Sequence, residues 1–108
     1  MSLRIVAVTA CPAGIAHTYM AAEQLEQAAR KLGHKIRVEV QGAAGIENQL
    51  SQAEVDAADV VVIAADVPIE HDDRFARSHN VARVPMHVAL KDPAAIFSRF
   101  ERSVLHGA

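Results

Sequence analysis

Cys11 is the only cysteine in the 108-residue chain, and His17 and Thr18 follow it with Pro12 and Gly14 in between. A thiol is a nucleophile once ionised, and its surroundings decide whether it ionises. Here an apolar run ends at Cys11 and a helix-like pattern begins within a few residues, so residues 12–18 join a strand end to a helix start. Backbone N–H groups at such a junction converge with the positive end of the helix dipole and form an anion site. Gly14 admits a loop conformation that side chains block, and Pro12 stiffens its beginning. The same field lowers the Cys11 pKa below the ~8.5 of an isolated cysteine. A nucleophilic sulfur beside a cradle for a doubly charged group suits phosphate. The competing reading is a small buried hydrophobe, the usual fate of a lone cysteine.

His17 falls in the first helical turn, where it either donates to a phosphoryl group and keeps the sulfur ionised, or is one of six histidines at the surface. Thr18 either offers its hydroxyl to the same anion or caps the helix. Two chemistries use a cysteine this way. A phosphatase of the low-molecular-weight tyrosine type places an arginine where this chain has His17, followed by a Ser or Thr where it has Thr18. The guanidinium that would grip the transferring group on two oxygens is missing. A carrier that passes phosphate to another molecule must avoid fast transfer to water, so the absent arginine suits it better. A module that merely binds an anion is the third class. His34, His71, His79, His87 and His106 have no paired metal-ligand spacing, and Glu70 to Asp73 reads as a charged loop rather than a metal site.

The elements that position these residues follow from periodicity. Arg4 to Ala10 is apolar and β-branched, a buried strand. Ala21, Leu25, Ala28 and Leu32 form one helical stripe from Thr18 onward, closed by Arg30 and Lys31 in the last turn and Gly33 as a left-handed cap. Lys35 to Val40 alternates, with Ile36, Val38 and Val40 on one face, as a half-exposed or edge strand does. The following stretch, with Gly42 and Gly45, reads as a loop. Ser51 and Glu54 make a capping box that starts a short helix through about Ala58. Val60 to Asp66 is uninterrupted and apolar, a central parallel strand. Residues 67–80 carry no assignable pattern. A fourth strand is expected within Ala82 to Leu90, at an edge because of Pro85. Asp92 and Pro93 start a last helix with Ile96, Phe97, Phe100 and Val104 inward, which explains this Asp without a role as general acid. Strands alternating with helices imply a parallel sheet covered on both faces, whose ligands bind at the carboxyl ends of its strands. Cys11 and Asp66 both lie at such ends.

Bulk properties agree with one small domain. Hydrophobic residues make up 51% and aromatics only 4%, so aliphatic side chains and alanine fill the core. A net charge of -2 gives no electrostatic case for nucleic acid. No apolar run approaches the ~20 residues of a membrane span, and Met1-Ser2-Leu3 lacks the features of a signal peptide, so a cytoplasmic setting is expected. A single cysteine forms no internal disulfide, which suits a reducing compartment.

The stretch VAVTACPAGIAHTYMAAE resembles the phosphorylation-site segment of the enzyme IIB domain in the fructose branch of the bacterial phosphoenolpyruvate-dependent sugar phosphotransferase system. The likeness continues through VEVQGAAGIENQL, ADVVVIAAD, the Arg74 to Ala76 triplet and ALKDPAAIF, covering nearly the whole chain in order. The resemblance implies a single IIB domain over residues 1–108, an α/β fold of three α/β/α layers, and a four-stranded parallel sheet of order 2-1-3-4. It implies a protein-phosphocysteine–sugar phosphotransferase in which Cys11 accepts phosphate from a phosphohistidine of enzyme IIA. Cys11 then delivers it to a sugar, by default fructose, held by the membrane enzyme IIC. In this reading Pro12, Ala13, Gly14, Ile15, Ala16, His17 and Thr18 form the phosphate loop, with Gln41, Gly42 and Asp66 as rim candidates. No metal or organic cofactor is required, and the domain works at the inner face of the membrane when engaged with IIC. Two departures stand out. Ala13 replaces the family's usual threonine, and the segment after Phe75 is longer than the family's tighter form.

Overall fold

The structure, a computed structural model, describes residues 2–11 and 16–102. Strand β1 (Arg4–Ala10) is buried from Ile5 onward and lies at the centre of the sheet. Its neighbours are β2 (Lys35–Gly42) and β4 (Val60–Ala65), both parallel to it, with Ala7 level with Val38 on one side and Val62 on the other. β5 (Val81–Val84) joins β4 in parallel at one edge. At the other edge the short strand β3 (Gly45–Glu47) runs antiparallel to β2. The sheet order is therefore β3-β2-β1-β4-β5.

This corrects the expected four-stranded parallel sheet. The four parallel strands keep the expected 2-1-3-4 arrangement, but the sheet has five strands and is mixed. The cause is local. β2 runs two residues past its alternating segment, and the chain reverses through Ala43 and Ala44 into a hairpin whose Gly42 and Gly45 face one another. Gly45 takes φ +112°, a conformation side chains resist. β2 is consequently an interior strand, not an edge.

Two cores cover the two faces. On one, α1 (Ala16–Lys31), α3 (Met86–Lys91) and α4 (Pro93–Phe100) bury Leu25, Ala29, Met86 and Phe97 against Ile5, Ala7, Val38 and Val62. On the other, α2 (Gln52–Ala57) and a 3-10 turn (Asp72–Phe75) bring Val55 and Phe75 onto Val6, Val8, Val61 and Ile63. α1 ends as its sequence dictates, with Gly33 at φ +83° and the His34 N–H donating to the Ala29 carbonyl at 2.9 Å. The capping box of α2 is complete. The Glu54 N–H donates to Ser51 Oγ at 3.1 Å, and the Ser51 N–H to Glu54 Oε1 at 3.0 Å. That bond, helped by the Arg37 charge against partial burial, holds the Glu54 carboxyl below its ordinary pKa.

The last expected strand is shorter than its apolar run. β5 stops before Pro85, which occupies the N-cap of α3, so residues 86–90 are helical rather than extended. Asp92 and Pro93 take the N-cap and N1 positions of α4, although the Asp92 side chain makes no capping hydrogen bond. Val104, assigned inward from periodicity, lies outside the described residues. No described helix is long and apolar enough to cross a membrane.

Candidate functional site

Cys11 follows the last residue of β1 and is half-buried. Its Sγ lies 3.0 Å from Thr18 Oγ1, within hydrogen-bonding reach. Thr18 is fully buried in the first turn of α1, and its carbonyl accepts from Thr9 Oγ1 at 3.1 Å. Two buried threonines thus lock the first turn of the helix to the end of β1, which fixes where the sulfur sits relative to the helix N-terminus. His17, its neighbour in sequence, is exposed, as is Ala16, which opens the helix. The expected phosphate-loop residues Pro12, Ala13, Gly14 and Ile15 lie outside the described residues. Tyr19 and Met20 are exposed on the same turns, and the Tyr19 hydroxyl donates to the Glu47 carboxylate on β3.

The three rim candidates sit at strand ends around Cys11, but two are already engaged. Gln41 pairs with Ala10 in register, one residue before the thiol. Its amide accepts from the Glu70 N–H at 2.8 Å and donates to the Glu70 carbonyl at 3.1 Å and to Glu39 Oε2 at 2.8 Å. Gly42 is half-buried in the hairpin with Gly45. Asp66 directs Oδ1 to the Met86 N–H at 3.0 Å, so its carboxylate caps α3. Its own N–H donates to the Ala10 carbonyl at 3.1 Å.

Sequence reasoning missed the group beneath this rim. Glu39 lies on the face of β2 that strict alternation assigns to solvent, yet it is 0% exposed. Its carboxylate is gripped by Arg74, Nη1 to Oε1 at 2.7 Å and Nη2 to Oε2 at 2.9 Å, and it accepts the Leu50 N–H at 2.8 Å. Burial pushes the Glu39 carboxyl up, but hydrogen bonds from Arg74, Gln41 and Leu50 and the Arg74 charge outweigh it and hold the pKa below its ordinary value. Arg74 also donates to the Leu50 and His71 carbonyls at 3.0 and 2.9 Å. The strand itself gave little signal, since Glu39 alternates with apolar residues just as Lys35 and Arg37 do; the available hint was an arginine beside a phenylalanine in an unassigned polar segment.

A thiol at the carboxyl end of a central parallel strand, beside the first turn of a long helix, has the placement that a nucleophile toward an anionic centre would need. Residues 6–99 match a family described as the lactose/cellobiose-specific IIB subunit of the phosphotransferase system (PTS). The fructose-like PTS system EIIBC component of Escherichia coli K12 is 56% identical over 99 residues, covering 90% of this chain but 20% of that protein. The PTS system fructose-like EIIB component 2 of the same organism is 47% identical over 98 residues, 91% of this chain and 92% of the relative. Among solved structures, the enzyme IIB subunit of a PTS from E. coli K12 superposes with a TM-score of 0.89 at 36% identity, covering 98% of this chain and 97% of that one. A domain of a fructose-specific IIABC component from Borrelia burgdorferi gives 0.85 at 43% identity, with 93% and 94% covered.

Proposed function

The chain belongs to the IIB family of phosphotransferase-system subunits, and we propose that it carries a phosphoryl group on Cys11 from enzyme IIA to a sugar held by a membrane enzyme IIC. The observation that carries this reading is the half-buried Cys11 sulfur, 3.0 Å from the Thr18 hydroxyl at the start of α1. In the first step the thiolate attacks phosphorus of a IIA phosphohistidine, the S–P bond forms and the N–P bond breaks. In the second a sugar hydroxyl attacks the same phosphorus, the S–P bond breaks, the thiolate returns, and the hydroxyl proton passes to solvent. Loose phosphoryl transfer needs position and preset donors more than acid–base groups. The first turn of α1 and the Thr18 hydroxyl beside the sulfur supply them.

Fructose or a related ketose is the substrate this reading favours, since similar chains are named fructose-like components. The relative named EIIBC supports a membrane IIC partner, and this chain spans about a fifth of that protein and nearly all of the separate EIIB relative. His17 at the position where low-molecular-weight phosphatases keep arginine favours a carrier over a hydrolase, because no guanidinium assists transfer to water. The domain acts at the cytoplasmic face of the membrane, and no metal or organic cofactor enters either step.

The test combines the protein with phosphoenolpyruvate, the general phosphotransferase proteins and a fructose-type IIA. An acid-stable, iodine-sensitive phosphoryl adduct on Cys11 is expected. An unlabelled chain that hydrolyses aryl phosphates without IIA overturns the reading in favour of a phosphatase.

A further inference from the structure

Strand β1 carries a single hydroxyl, that of Thr9. In register Thr9 lies between Val40 of β2 and Ala64 of β4, and both neighbours belong to the core under α1. Ile5 and Ala7, earlier on the same face of the strand, join that core, and Cys11, the next inward position, packs against it. Thr9 is fully buried, so its hydroxyl finds no solvent. It donates to the Thr18 carbonyl in the first turn of α1 at 3.1 Å. The hydroxyl of that same Thr18 lies 3.0 Å from Cys11 Sγ. Two successive inward positions of one strand thus hold one helical residue, Thr9 by its backbone and Cys11 by its side chain.

The rest of the contact between α1 and the sheet is not directional. Ala21, Ala22, Leu25, Ala28 and Ala29 rest on Ile5, Ala7 and Val38, and a surface of methyl groups sets no preferred angle. Among the described residues, the bond from Thr9 is the only side-chain hydrogen bond that joins β1 to α1. A hydrogen bond weakens steeply with angle, so this one selects a single setting of the first turn. Stability alone does not call for a hydroxyl here. Valine has the same outline and suits the apolar neighbours. The Thr18 carbonyl lies inside α1, whose own ladder brings it an N–H four residues on.

We propose that Thr9 is a positioning residue for phosphoryl transfer, which holds the Thr18 carbonyl so that the Thr18 hydroxyl is aimed at the Cys11 sulfur. The proposal rests on the carrier reading above. A thiolate only accepts hydrogen bonds, so in that state the Thr18 hydroxyl is the donor and stabilises the charge. Both transfer steps pass through that thiolate, once as the attacking group and once as the leaving group. Thr9 lies beneath the helix, where neither IIA nor a sugar touches it, and acts through Thr18.

The experiment compares the natural chain with Thr9→Val and Thr9→Ser in rapid-quench phosphorylation by phosphorylated IIA. Thr9→Val is expected to lower the rate at saturating IIA roughly tenfold, because misplacing a positioned group is costly. The IIA concentration that gives half the maximal rate should not change. Thr9→Ser keeps the hydroxyl and is expected to restore the rate. A maximal rate in Thr9→Val equal to that of the natural chain, or a slow rate that serine does not restore, overturns the proposal and leaves the carrier reading intact. If Thr9→Val does not fold, Thr9→Ala takes its place. Alanine and serine differ by the hydroxyl alone, so a faster serine variant supports the proposal and equal rates overturn it. A natural chain that takes no phosphate overturns the carrier reading instead. Iodoacetamide alkylation of Cys11 at neutral pH then decides the role of Thr9. Slower alkylation in Thr9→Val, restored in Thr9→Ser, supports it, and equal rates in all three chains overturn it.

Discussion

At the scale of single residues, the proposed site rests on one sulfur and one hydroxyl. Replacing Cys11 by serine should abolish phosphorylation while leaving the circular dichroism spectrum and unfolding midpoint of the natural chain, because a half-buried sulfur-to-oxygen exchange removes little packing. Thr18→Val removes the oxygen 3.0 Å from Sγ at nearly constant volume. Its phosphorylation should slow, and Thr18→Ser should restore the rate; stopped-time quench of labelled protein measures both. The placement of Cys11 and Thr18 at a strand-to-helix junction was legible because that junction is local, readable within eight consecutive residues. Glu39 and Arg74 were not. Their pairing spans 35 positions, and the alternation of Lys35 to Val40 points to solvent at Glu39 unless one knows that Arg74 and Leu50 cover it.

At the scale of elements, the fold depends on a few terminal residues whose grammar differs in strength. Ser51→Ala loses one half of a complete capping box and should cost about 1 kcal/mol in urea unfolding. Gly45→Ala meets no neighbour within 4 Å, so its cost comes from φ +112° alone, about 1–2 kcal/mol by the same measurement. Equal stability would show that the hairpin relaxes freely. The long, strongly periodic elements β1, α1 and β4 were readable, and so was the box that starts α2. The β2–β3 hairpin was not, because Gly-Ala-Ala-Gly puts its glycines outside the two-residue turn and β3 is only three residues long. Residues 86–90 misled for the opposite reason. They are apolar enough for a strand, and only the position of Pro85 as a helix N-cap turns them into α3.

At the scale of the whole molecule, the buried pair makes stability depend on acid. Glu39 has a folded-state pKa below its ordinary value of 4.5, so ionised Glu39 contributes stability that is complete above that value and is lost as the pH falls toward the folded-state one. Denaturant unfolding between pH 6 and 3 should therefore show a steep acid limb. Glu39→Gln should lower stability at pH 7 by about 3 kcal/mol, since Arg74 is left buried without its partner, and should flatten that limb. A variant as stable as the natural chain, with an unchanged acid limb, would remove Glu39 from the account. The parallel order of the four long strands was legible from their alternation with helices. The side chains that tie β2 to the segment after β4 were not, because sequence periodicity records which face a residue takes and not what crosses over it.

The central place of β1 carries one more consequence. Its backbone is bonded to β2 along one side and β4 along the other, and helices close both faces. Amides of such a strand exchange with solvent deuterium only when the molecule opens as a unit, whereas edge strands and short helices open in smaller fluctuations. Ile5 through Ala10 should accordingly be the slowest-exchanging stretch of the chain, and β3 and β5 among the fastest strands. The sulfur proposed to carry the phosphoryl group is thus borne by the residue directly after the last part of the protein to come apart, and the partners of the proposed relay would meet it at a fixed point.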